Sequence, residues 1–265
     1  MPRLVTAVLS LVVFLALAAG AHAADQVPLA SHRALYRLRL ETTRGGDVTS
    51  GTGTMSYEII DACDGWAVHQ KLDMQLTNRD GQDVAMSSDY TTWESKDGLR
   101  LRFRTRQLTD QNVTSEVAGE AYLDAPGGAG VADFTLPEAS SKPLPARTLF
   151  PTAHTATIIQ AAMAGKSFFT VPLFDGTSAD GAQDSSIVMA PWGSKPATSP
   201  HGLADMASGR VRIAFFDRGT ASQQSDYEVA MRYWANGVAD DLSMDFGDFV
   251  MAGKLAEFRL LKPAC

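Results

Sequence analysis

Apolar and polar residues alternate one for one along most of this chain, and that period of two restricts it to half-buried antiparallel strands, whose successive side chains point to opposite faces. Ala34, Tyr36, Leu38 and Leu40 alternate with Leu35, Arg37, Arg39 and Glu41, and Met55, Tyr57 and Ile59 alternate with Ser56 and Glu58. The clearest run sets Trp66, Val68, Leu72, Met74 and Leu76 against His69, Lys71, Asp73, Gln75 and Thr77. After an Asp80-Gly81 turn, Val84, Met86 and Tyr90 resume the phase. The second half repeats the pattern through Val211 to Phe215, Tyr227 to Tyr233, Leu242 to Phe246 and Leu255 to Leu261. Asn236-Gly237 predicts a type I′ hairpin turn, because that turn needs two residues tolerant of positive φ.

One stretch of the mature chain reads as helical. Thr152 is placed to cap Ala153 to Ala164, Gly165 stands where a C′ glycine would, and Ile158, Ile159, Ala162 and Met163 form an apolar stripe. The expected fold is therefore all-β, about a dozen antiparallel strands in a strongly curved sheet with one short helix, closed into a barrel or coiled into an open spiral. Two zones dense in Gly, Pro, Ser and Ala, 125–149 and 178–207, read as loop excursions or a lobe boundary.

The first residues carry an export signal: Arg3 in the n-region, an apolar run from Leu4 to Ala19, and Ala21-His22-Ala23 as a small-x-small cleavage site. Cleavage after Ala23 makes 1–23 a signal peptide and leaves no transmembrane segment, since the apolar run is short for a membrane-spanning helix. It also removes one arginine and no acid, so the net charge of −7 becomes −8. An acidic chain does not displace counterions from phosphate, so nucleic acid is not an expected partner. Export to an oxidising compartment gives meaning to the two cysteines, Cys63 and Cys265, which read as one disulfide tying the end of the chain to its early part.

Chemistry-bearing motifs are scarce. There is no C-x-x-C, H-E-x-x-H, G-x-S-x-G or phosphate-binding glycine loop, so no catalytic, cofactor or metal residues are assigned. His32, His69, His154 and His201 show no ligand spacing and read as surface or packing residues. Arg100, Arg102, Arg104 and Arg106 alternate with Leu101, Phe103 and Thr105, so one strand presents four guanidinium groups on one face. That row is either a solvated outer face paired with neighbouring acids or a contact for an anionic envelope component or acidic partner. The ten methionines, with the tryptophans and phenylalanines, either fill a core or line an adaptable apolar cleft.

Several short motifs together resemble the cell envelope integrity protein EipB family. They include His32-Arg33-Ala34-x-Tyr36, Gly53-x-Met55-x-Tyr57, Cys63-Asp64-Gly65-Trp66 and Trp93-Glu94-Ser95-x-Asp97-Gly98-Leu99. Further along come Leu149-Phe150-Pro151-Thr152-x-His154, Phe174-Asp175-Gly176, Asn236-Gly237-Val238, Asp245-Phe246-Gly247-Asp248-Phe249 and the terminal Cys265. The resemblance implies a single periplasmic β-spiral domain over 24–265 and a disulfide at Cys63 and Cys265. It also implies a role in envelope integrity under stress without enzymatic activity, and a functional link to a periplasmic tetratricopeptide-repeat protein. Its spiral is similar to the curved sheets of lipoprotein-handling periplasmic proteins, which makes a lipid or lipoprotein an expected partner. Two other expectations stand beside it: an envelope-polymer hydrolase or transferase working through two converging carboxylates, and a purely structural scaffold for the repeat protein.

Overall fold

The computed structural model describes residues 27–193, 203, 205–219 and 224–265; the signal peptide and His201 lie outside the described residues. Its strands are β1 (His32–Thr43), β2 (Val48–Asp61), β3 (Gly65–Asn78), β4 (Asp83–Ser95), β5 (Arg100–Thr109), β6 (Asn112–Leu123), β7 (Gly130–Leu136) and β8 (Ser140–Leu144). After helix α1 (Pro151–Met163) follow β9 (Phe168–Leu173), β10 (Gln183–Met189), β11 (Ser208–Asp217), β12 (Tyr227–Trp234), β13 (Ala239–Asp245) and β14 (Phe249–Leu260). All fourteen belong to one sheet, in the order β8-β7-β6-β5-β4-β3-β2-β1-β14-β13-β12-β11-β10-β9. Two antiparallel meanders are thus joined where β1 pairs β14, with His32 opposite Leu260 and Leu38 opposite Gly253.

The sheet does not close. Its two edges, β8 and β9, are consecutive in the chain and are separated by α1. Part of the β9 edge is covered by Leu149, which bridges Leu173 in parallel and exchanges hydrogen bonds with Pro172 and Phe174 at 2.9 and 3.0 Å. On β8 only Leu144 is buried, and Lys142 and Pro143 blunt the strand against further pairing.

The sheet rolls around α1. Ile158 and Ile159 of the helix are fully buried in a core shared by Tyr36, Leu38 and Met74 of the first meander and Ile187, Ile213 and Met251 of the second. A second cluster lies under β5 to β7, where Phe103, Phe134, Phe150 and Phe174 meet edge to face. Phe174 reaches that cluster because Gly176 follows it at φ +73°, with its backbone against the Phe103 ring.

Three expectations need correction. The loop-rich zones contain β7, β8 and β10; these strands are short, and their inward positions include Ala132 and Ser185, so composition hid the alternation. Thr152 does not cap the helix: the N-cap is Phe150, with no side-chain cap bond, and the orphan N–H groups are met from another strand. At Asn236-Gly237 only Gly237 has positive φ, at +85°, and the bonds Gly237 N–H to Trp234 and Trp234 N–H to Val238 make a three-residue loop ending in a left-handed glycine. Gly165 does stop α1, at φ +78°, and Lys166 N–H bonds back to Ala161.

Candidate functional site

Between the two meanders lies a cavity of about 480 Å³. One wall is built by registered rows across β1 to β4: His32, Ile59, Val68 and Thr92 stand opposite one another in turn, and the next row inward carries Tyr57, Gln70 and Tyr90. The facing wall is the inward phase of β12, Tyr227, Val229, Met231 and Tyr233, supported by Leu242 and Met244 of β13. Pro151, Thr152 and Thr155 bring the first turns of α1 to the same space. The walls follow from the period of two, since every second side chain of each strand points into the roll.

Five of the six tyrosines, all but Tyr122, line this cavity. Their rings give an apolar wall with polar tips, a combination suited to a ligand that is apolar along its length and polar at a few points. Tyr36 donates to the Ala239 carbonyl at 2.9 Å, Tyr90 donates to the Asp175 carbonyl at 2.7 Å, and Tyr233 interacts with the Thr155 side chain. The hydroxyls of Tyr57 and Tyr227 have no hydrogen-bond partner among the described residues. Burial pushes all five phenol pKa values upward, so all remain neutral.

Two carboxylates flank the site, Glu94 buried and Asp175 half-buried. Asp175 lines the cavity, and burial raises its pKa against the opposing effect of the Thr177 N–H and hydroxyl, at 2.9 and 2.8 Å. Glu94, 2% exposed, turns instead to the helix, where its carboxylate accepts the N–H groups of Thr152 and Ala153. It does the work of a cap from across the fold. Burial nevertheless pushes its pKa to about 7, with those hydrogen bonds pulling the other way. Glu94 left a sequence signal, since it occupies the same inward phase as Tyr90 and Thr92; a carboxylate at that phase marks a buried partner. The tyrosines left none individually, because each reads as an ordinary core aromatic.

Of the cysteines, arginines and described histidines weighed for chemistry from the sequence, His32 lines the cavity and the others lie outside it. The structure brings Cys63 and Cys265 together, with Cα atoms 5.7 Å apart and the sulfurs joined, at the turn between β2 and β3. The tail reaches it through Ala264 N–H to the Asp61 carbonyl at 2.8 Å, while Lys96 pairs with the Asp61 carboxylate and lies over the Trp66 ring. Arg100, Arg102, Arg104 and Arg106 share the exposed face of β5. Arg104 pairs with Glu116 and Arg102 with Glu120 of β6, Arg102 also lies over Trp93, Arg100 lies over Tyr122, and Arg106 stands across from Asp89. His69 is exposed beside Asp89 at 3.2 Å. His154 is buried and its Nε2–H donates to Ser185 Oγ at 2.9 Å, because the serine hydroxyl is committed to the Val171 carbonyl. Methionines serve both expected purposes: Met55, Met231 and Met244 line the cavity, while Met74, Met189 and Met251 fill the core.

A family model described as EipB-like matches residues 23–262. The cell envelope integrity protein EipB of Brucella abortus (strain 2308) is 31% identical over 250 residues, covering 91% of this chain and 87% of that protein. A crystal structure of a beta-barrel-like protein of the DUF1849 domain, also from Brucella abortus, superposes with a TM-score of 0.81 at 27% identity, covering 88% of this chain and 99% of that one.

Proposed function

The chain belongs to the EipB-like family, and on that premise we propose that it is a non-enzymatic periplasmic protein that supports envelope integrity by holding a lipid, or the lipid part of a lipoprotein, in the cavity between its meanders. The observation that carries this reading is the tyrosine-lined, largely apolar cavity, whose volume of about 480 Å³ falls within the range of small-molecule sites. The export signal and the name of the Brucella relative support the compartment and the role. Cys63 and Cys265, oxidised after export, fasten the β2–β3 turn to the chain's end and so stiffen the first wall.

The hydrolase or transferase alternative requires two carboxylates converging on one space. Among the described lining residues Asp175 is the single acid, and Glu94 is engaged with the helix N-terminus. A tetratricopeptide-repeat partner would meet the outer surface, and such docking is compatible with an occupied cavity.

Native mass spectrometry of protein purified from the periplasm, followed by lipid extraction, tests the reading. The expected spectrum shows a bound mass of lipid size that disappears on extraction. Repeated preparations without lipid, which also take up no added single-chain amphiphile, would leave the scaffold reading in its place.

A further inference from the structure

The cavity wall carries polar groups that no other side chain or backbone group among the described residues answers and that remain accessible to solvent. They are the hydroxyls of Tyr57 and Tyr227, the amides of Gln70 and Gln183, and Oδ2 of Asp175. All five residues are half-buried, so these groups face open space rather than packed protein. The sheet brings them toward one end. Gln70 stands between Tyr57 and Tyr90 in a single cross-strand row, and the Tyr90 hydroxyl, bonded to the Asp175 carbonyl at 2.7 Å, sets Asp175 beside that row. Gln183, opposite Leu173 in the β9–β10 hairpin, approaches the same end from the other meander.

Charge at this end has one sign. Asp175 is the single acid among the described lining residues, none of them is a lysine or arginine, and His32 is kept neutral by burial. The positive end of α1 also reaches the cavity, at Thr152, but Glu94 already accepts the Thr152 and Ala153 N–H groups. Asp175 Oδ1 takes the Thr177 N–H and hydroxyl, two bonds that favour the charged carboxylate and leave Oδ2 for a ligand.

We propose that Asp175 and Gln70, walled by Tyr57, Tyr90 and Tyr227, form the polar end of the ligand site and receive a protonated amine carried on an apolar chain. The inference rests on the reading of the cavity as a lipid site and adds the class of head group. The ammonium donates to Asp175 Oδ2 and to the Gln70 amide oxygen, and the surrounding tyrosine rings add cation–π attraction in a site largely shielded from water. A carboxylate or phosphate would meet Asp175 with no cation to answer it, a like-charge contact that works against binding. An alcohol satisfies the same acceptors but gains nothing from the charge.

Isothermal titration of the full mature protein, stripped of co-purified lipid, with decylammonium chloride, 1-decanol and sodium decanoate at neutral pH tests this. Because the protein is acidic, the titrations are run in about 0.5 M sodium chloride, which screens adsorption of the cation to exposed carboxylates far more than binding in the cavity. Decylammonium is expected to bind about tenfold tighter than decanol, and decanoate more weakly than either. Asp175→Asn keeps an oxygen for the Thr177 N–H and hydroxyl but removes the charge. It is expected to bring decylammonium to within about threefold of decanol while decanol itself stays within about twofold of its wild-type affinity, with melting curves run alongside to show that the variant folds. Equal affinity of the wild type for decylammonium and decanol, tighter binding of decanoate, or a folded Asp175→Asn protein that keeps the full preference would overturn the ammonium assignment and leave the cavity reading standing. Binding of none of the three would remove both. If Asp175→Asn does not fold, the ranking of the three probes by the wild type in salt decides alone.

Discussion

Glu94 and Thr152 are joined as carboxylate and helix N-terminus, at 2.6 Å, although 58 residues separate them. The second oxygen takes the Ala153 N–H at 2.8 Å, so one side chain of β4 satisfies two of the orphan donors of α1 and faces the positive end of its dipole. The helix around which the sheet rolls is therefore seated by a strand of the first meander. The same strand contributes Thr92 and Tyr90 to the cavity, which places the helix seat two residues from the site wall.

That seat makes stability depend on pH. Burial raises the Glu94 pKa from 4.5 to about 7 in the folded state, so the folded protein holds this proton more tightly than the unfolded chain. The stabilisation is fully present below pH 4.5 and is lost as the pH rises through 7, an effect on the order of 3 kcal/mol. The difference in melting temperature between wild type and Glu94→Gln is expected to shift against the wild type by roughly 6–12 °C between pH 4 and pH 8. Parallel curves for the two proteins would contradict it.

His154 acts in the opposite sense. Its pKa falls from 6.5 to about 4 through burial, so its contribution is complete above pH 6.5 and disappears as the pH falls through 4. His154→Gln, which keeps a nitrogen donor for Ser185, is expected to lose less stability than the wild type on acidification from pH 7 to pH 4. Thermal scans across that window check this, and an unchanged gap would count against it.

Gly176 is expected not to tolerate a side chain. A Cβ there would lie 2.3 Å from the Phe103 ring, and its φ of +73° disfavours any other residue. The turn also supplies the carbonyl that accepts the Thr105 hydroxyl at 3.2 Å. Gly176→Ala should cost about 2–4 kcal/mol in urea unfolding. A loss below about 0.5 kcal/mol would show that the turn can move away from Phe103 without penalty.

The cysteine pair spans 202 residues, and a cross-link over such a loop removes about 5 kcal/mol of chain entropy from the unfolded state as an upper estimate. Cys63→Ser and Cys265→Ser are each expected to lower the melting temperature, by at most roughly 10–20 °C. The double variant should melt no lower than either single one. Identical melting of the wild type with and without reductant would sink the prediction.

Much of the architecture is legible in the sequence because half-buried strands write their faces as alternation: the inward phase of Ala34, Tyr36 and Leu38 is buried as that pattern predicts. The short strands near the sheet edges are not, since a strand such as Ser140–Leu144 buries one residue and leaves no period to read. The site is harder to see. Alternation tells which tyrosines point inward but not that the rows of β1 to β4 and of β12 face each other across a gap, because that depends on how far the sheet rolls. The partnership of Glu94 with α1 is invisible for the same reason, being a contact between segments brought together only by the roll.

The pairing of β1 with β14 sets an order of events for a chain delivered N-terminus first. Each meander consists of neighbouring hairpins and can assemble as it appears, whereas β1 keeps an open hydrogen-bonding edge until residues 249–260 arrive. Until that last strand arrives, the chain thus exposes the strand that will become the middle of the finished sheet. A holding chaperone would find its natural foothold on that strand, and a chain truncated before β14 would be left with an adhesive edge.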